Sequence, residues 1–117
     1  MNIKQFSYLT NISAHTLRYY EKIGLLKQID RNSSGHRNFT QKDVIWVAFI
    51  KRLKETGMPL KHIIEYADLR NIGISTSKSR MQILERHAVL LEERISEEQS
   101  HLQILRKKIQ DYREIIE

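Results

Sequence analysis

The residues most capable of chemistry are cations, phenols and an imidazole. Arg18-Tyr19-Tyr20 lies in SAHTLRYYEKIGLL (Ser13–Leu26). Arg31, His36 and Arg37 bracket the turn cluster Asn32-Ser33-Ser34-Gly35. Lys54 and Lys61 flank Gly57-Met58-Pro59. A guanidinium pairs bidentately with the O6/N7 edge of guanine or with a phosphate. Phenol hydroxyls suit phosphate oxygens, which take most protein–DNA hydrogen bonds and set position rather than sequence. The competing reading makes the tyrosines core residues and the cations a solvated face.

The rest of the chain argues against catalysis. There is no Gly-rich phosphate loop, nucleophile elbow or paired acid–base set. His15, His36, His62, His87 and His101 lack metal-ligand spacing. With no cysteine in 117 residues, disulfides, thiolate metal sites and thiol redox chemistry drop out together. No enzyme activity, metal or cofactor is expected. A secretory leader pattern is absent, and the longest apolar run, Val44 to Ile50, is too short for a bilayer. A cytoplasmic location is expected, with no membrane partner.

Charge singles out one end. The net charge is +6. Met1 to Ser75 holds 12 Lys/Arg against 6 Asp/Glu, and Thr76 to Glu117 holds 8 of each. A basic head on a neutral scaffold suits a polyanion partner.

These side chains need elements to position them. Ile3, Phe6 and Leu9 share one face of a short helix over Ile3 to Thr10. Asn11-Ile12 forms a turn, and Ser13 caps a second helix from Ala14 to about Ile23, closed by Gly24. Two short helices joined this way make a helix-turn-helix. Its second helix places Ala14, His15 and Thr16 in the first turn, where a recognition helix meets base edges. Leu17 turns inward against Phe6, Leu9 and Ile12. His15, Arg18, Tyr19 and Lys22 take the opposite face. Tyr20 lies on the flank, so either tyrosine could be the one that reaches DNA.

Ile29–Arg31 and His36–Phe39 read as a small hairpin wing around the turn cluster. Thr40 caps a third helix, Gln41 to about Thr56, with Val44, Ile45, Val47, Ala48, Phe49, Ile50 and Leu53 as its apolar residues. Met58-Pro59 opens a fourth, with Leu60, Ile63, Ile64 and Ala67 as the inner stripe. Three regions follow: a DNA-binding domain over 1–70, a linker over 71–77 and a long helix over 78–117. In that helix Met81, Leu84, Ala88, Leu91, Ile95, Leu102, Leu105, Ile109, Tyr112 and Ile116 recur in steps of three and four, interrupted only by Glu98. At the α-helical rise the segment is roughly 60 Å long. A stripe that long needs a second copy, so a homodimer is expected. Glu98 either sets register at a cost in stability or sits where the helices diverge.

The order TLRYYEKIGLL, RNSSGHRNFTQKDV, IKRLKETGMPLKHI and a coiled-coil helix resembles the MerR family of transcriptional regulators over the whole chain. The resemblance implies a mainly α protein: a winged helix-turn-helix followed by a long dimerisation helix that pairs in an antiparallel coiled coil. It implies double-stranded DNA as partner and a near-palindromic promoter spacer, bent and untwisted so that RNA polymerase can engage. The implied DNA contacts are Arg18, Tyr19 or Tyr20, Arg31, His36, Arg37, Lys54 and Lys61, with His36 standing where the family's wing usually has an aromatic. The stretch DVIWVAFIKRLKETGMPLKHIIEYADL is similar to the branch that answers aldehydes and thiol stress. Members of that branch often carry a reactive cysteine where this chain has Arg52, which cannot be alkylated or oxidised like a thiolate. No small-molecule effector is therefore assigned, and any effector would act near Asn71–Ser79 or where the dimer helices join the DNA-binding domain. The alternative reading is a DNA-bending architectural protein without effector control.

Overall fold

A computed structural model describes all 117 residues. They form two units, Met1–Ile83 and Leu84–Glu117.

The first unit begins with α1 (Ile3–Thr10). Asn2 and Gln5 satisfy each other's backbone N–H groups in a capping box, which relieves two of the orphan donors of the first turn. The helix stops at Asn11, a left-handed residue at φ 55°, a conformation asparagine tolerates better than most. Helix α2 (Ala14–Lys22) is capped by Ser13, whose hydroxyl accepts the Thr16 N–H at 3.1 Å. Gly24 turns the chain away at φ 90°.

The wing consists of β1 (Asp30–Arg31) and β2 (Arg37–Asn38), antiparallel with Arg31 opposite Arg37. Its root is tied to the chain start. The Met1 ammonium donates to Asn38 Oδ1 and to the Phe39 carbonyl, and the Phe39 N–H returns a bond to the Met1 carbonyl. The Phe39 ring stacks on Phe6 with centroids 4.2 Å apart. Burying each such ring contributes about 1.5–3 kcal/mol, so the wing is anchored by core packing as well as by its short ladder.

Helix α3 (Gln41–Glu55) starts at a second capping box, Thr40 with Asp43. It carries Val47 and Ile50, which are fully buried, and Trp46, whose indole N–H donates to the Leu25 carbonyl at 2.8 Å. A buried Trp with its polar end satisfied ties α3 to the segment after α2. Helix α4 (Leu60–Ile72) buries Ile63 and Ala67. A 3-10 turn (Ile74–Thr76) leads into α5 (Ser77–Ile116), which buries Ile83.

Several expectations need correction. Leu9 is 56% exposed rather than packed under α2. Phe39 fills the space over Phe6, and Leu9 is left bordering a surface groove with Val44 and Ala48. Leu60, expected on the inner stripe of α4, is 39% exposed. Residues 71–77, the expected linker, are mostly helical. Asn71 and Ile72 continue α4, Gly73 turns at φ 122°, and the Thr76 hydroxyl donates to Leu69 and Gly73 carbonyls at 2.7 Å.

The second unit is the remainder of α5. Ile95, Leu102, Leu105, Ile109, Tyr112 and Ile116 are each between 45% and 81% exposed, and Ala88 is exposed as well. Leu84 and Leu91 are half-buried. Met81, in the stretch of α5 counted with the first unit, is 52% exposed.

Candidate nucleic-acid interface

Helix α2 sorts its side chains as a recognition helix requires. Leu17 is buried, while His15 and Arg18 are exposed and Ala14 and Thr16 are half-buried. The two tyrosines part company. Tyr19 is 45% exposed, and Tyr20 is 4% exposed with its ring in the core. Tyr20 was expected as one of two candidate contacts. Its hydroxyl instead meets Lys54 Nζ at 3.2 Å, and the same ammonium lies 5.1 Å from the ring centroid. Tyr20 is thus a core residue that holds Lys54 at the end of α3, and Tyr19 is the phenol open to a ligand.

One groove brings separated stretches together. Arg18 of α2, Arg31, Gly35, His36 and Arg37 of the wing, and Asn2 and Ile3 of α1 line a cleft of about 240 Å³. The residue that aligns the wing was not singled out in the sequence. Glu21 of α2 accepts from Arg37 Nε at 2.7 Å and lies 3.5 Å from an Arg31 guanidinium nitrogen. Arg31 also donates to the Gly35 carbonyl at 3.0 Å. Both wing arginines are therefore ordered before any ligand arrives. Burial is moderate, with about a quarter of the Glu21 side chain exposed, so the pairs position more than they stabilise.

The wing tip is fixed by its turn chemistry. Asn32 Oδ1 accepts the Ser34 and His36 N–H groups at 3.0 and 3.1 Å. Gly35 supplies φ 81° with open space around its Cα, so it is demanded by conformation and not by crowding. His36 is left exposed beside it. Lys61 is exposed in the first turn of α4, where no side-chain cap covers the helix start. Arg52 pairs with Glu55 at 3.5 Å on the open surface of α3, with 76% of its side chain exposed.

An exposed arginine, a phenol and a braced basic wing stand beside a capped helix start, and these are the group types that meet phosphates and base edges. The chain is similar to known proteins over most of its length. Residues 1–69 match the family model described as MerR HTH family regulatory protein, and residues 44–112 match that described as MerR, DNA binding. An uncharacterized HTH-type transcriptional regulator of Haemophilus influenzae is 39% identical over 101 residues, spanning 86% of this chain and 75% of that protein. The crystal structure of a MerR family transcriptional regulator from Listeria monocytogenes superposes with a TM-score of 0.88 at 37% identity, covering 96% of this chain and 85% of that one. HiNmlR, described as a MerR family regulator lacking the sensor domain and bound to promoter DNA, superposes at 0.83 with 34% identity, covering 97% and 90%. The chain belongs to the MerR family of helix-turn-helix, DNA-binding transcriptional regulators.

Proposed function

We propose that this regulator acts as a homodimer on a near-palindromic promoter spacer and controls transcription by bending and untwisting that spacer, so that RNA polymerase engages it. The observation that carries the reading is the open seam of α5. From Ala88 to Ile116 seven apolar seam positions are exposed on one helix. A soluble monomer rarely leaves so long an apolar stripe to water.

The seam also matches itself when read backwards. In an antiparallel pair, Met81 faces the partner's Tyr112, Leu84 the partner's Ile109, Ala88 the partner's Leu105 and Leu91 the partner's Leu102. Glu98 then faces the partner's Ile95 and not its own symmetry mate. A carboxylate set against an isoleucine in that layer costs stability. Such a dimer carries two copies of the Arg18–His36 groove, so it suits two half-sites separated by whole helical turns. Arg18 reads a base edge, Tyr19, Arg31, Arg37, Lys54 and Lys61 hold phosphates, and His36 contacts the backbone beside the wing.

Sedimentation at micromolar concentration, followed by footprinting and transcription in vitro on a selected operator, tests the proposal. A dimer that protects two half-sites and changes transcription from that promoter supports it. A monomer, or a protein that binds without promoter dependence, contradicts it.

A further inference from the structure

A second basic concavity lies apart from the Arg18–His36 groove. It has a volume of about 530 Å³, within the range of metabolite-sized sites, and Ile74 is the one apolar side chain on its wall. The wall joins the root of the wing, the start of α3 and the Gly73 turn between α4 and α5.

Its cations are poorly matched by anions. Lys27 is paired with Asp68 at 2.7 Å, and Asp43 accepts from Thr40 in its capping box while its charge still acts on Arg70. Lys42, Arg70 and Arg80 remain, with Asp30 as the other acid on the wall. The Arg70 guanidinium carbon lies over the Trp46 ring, 4.2 Å from its centroid. Arg80 spends Nε and one terminal nitrogen on Thr76, Gly73 and Ser77 and keeps its other terminal nitrogen free. Burial lowers the pKa of Arg70, Asp43 and then Tyr66 oppose that, and Arg80 makes the smallest contribution, a further lowering. Lys27, Lys42, Arg70 and Arg80 outnumber Asp30 and Asp43 on this wall, and an excess of like charge in one concavity favours a bound anion. The backbone supports the same view. Gln28 on the wall holds φ 57°, a left-handed conformation unusual for glutamine, and such outliers gather at ligand sites.

We propose that this concavity binds a small multivalent oxyanion, a phosphate monoester or a dicarboxylate, bridged between Arg70 at the end of α4 and Arg80 at the start of α5. Two planar guanidinium forks match paired oxygens. A ligand held there ties the Gly73 turn from both sides, which places it at the junction of the DNA-binding elements and α5. That regulatory consequence rests on the regulator assignment, whereas binding itself is measured without DNA.

Trp46 is the single tryptophan and touches Arg70, so its emission reports the site. The full chain is titrated with inorganic phosphate and with malonate at ionic strength held constant by chloride. The expected result is a saturable change in emission, with affinity lowered about tenfold in Arg80→Gln and largely retained in an Arg18→Ala, Arg31→Ala double variant. Lys42→Gln, on the exposed rim, gives a smaller loss and serves if Arg80→Gln unfolds. A response equal to that of chloride, one unchanged in both cavity variants, or one lost only in the Arg18, Arg31 variant overturns the proposal. So does a fall of about one in the salt slope of DNA binding in Arg80→Gln, which would assign the cavity to a DNA phosphate.

Discussion

Arg37 of the wing donates its Nε–H to Glu21 of α2 at 2.7 Å, joining the two elements that carry the candidate DNA contacts. The same carboxylate also reaches Arg31. An acidic residue facing a polyanion opposes binding on charge alone. Here it orders two arginines in advance, and ordering a long side chain costs about 0.5–1.5 kcal/mol at the moment of binding.

That balance has a testable sign. Glu21→Ala raises the net charge, so simple electrostatics forecasts tighter operator binding. The brace forecasts weaker binding, by about 1–3 kcal/mol for two released arginines. Thermal stability should change by less than about 1 kcal/mol, since the pairs are partly exposed. Operator titration at fixed salt decides between the two signs.

The tyrosine pair gives a second test. Tyr20→Ala removes a buried ring and should cost about 3–5 kcal/mol of folding stability. Tyr19→Ala should leave stability within about 0.5 kcal/mol, yet weaken DNA binding by about 1.5–3 kcal/mol if its hydroxyl meets a charged phosphate. Urea unfolding and operator titration on both variants check the split. A stable Tyr20→Ala would contradict the burial.

The coiled-coil register can be read by cross-linking, because the chain has no cysteine of its own. Ala88→Cys combined with Leu105→Cys should form an interchain disulfide on mild oxidation. Ala88→Cys alone should not, since the antiparallel register sets the two copies of residue 88 far apart. Efficient cross-linking by the single variant would indicate a parallel pair. In the same register Glu98→Leu should stabilise the dimer, by about 1.5–3 kcal/mol for each newly buried side chain.

Local signals in the sequence located much of the fold. Ser13, Thr40, Gly24 and the Asn32–Gly35 cluster each act within a few residues, so helix starts, turns and the wing follow from chemistry that leaves a local trace. What escaped notice lies in long-range pairing. Glu21 and Arg37 are 16 positions apart, and Trp46 and the Leu25 carbonyl are 21 apart, with no periodicity to announce either bond. The exposure of Leu9 has a related cause. A helical face shows which residues align, but Phe39, arriving from beyond the wing, decides which of them is covered. At residues 71–77 Gly73 marks the break between helices, and the Thr76 hydroxyl closes the turn against Leu69. The cavity between Arg70 and Arg80 gave no sequence signal, because its walls come from four separate stretches.

Operator bending is the most direct measure of the central claim. Donor and acceptor dyes on the two ends of a selected operator duplex report end-to-end distance, and mass photometry of the same sample counts protomers. A dimer that acts by distortion should give two protomers per duplex and a shortened end-to-end distance, with both lost in Arg18→Ala at equal protein concentration. One protomer per duplex, or two protomers on DNA of unchanged end-to-end distance, would contradict it.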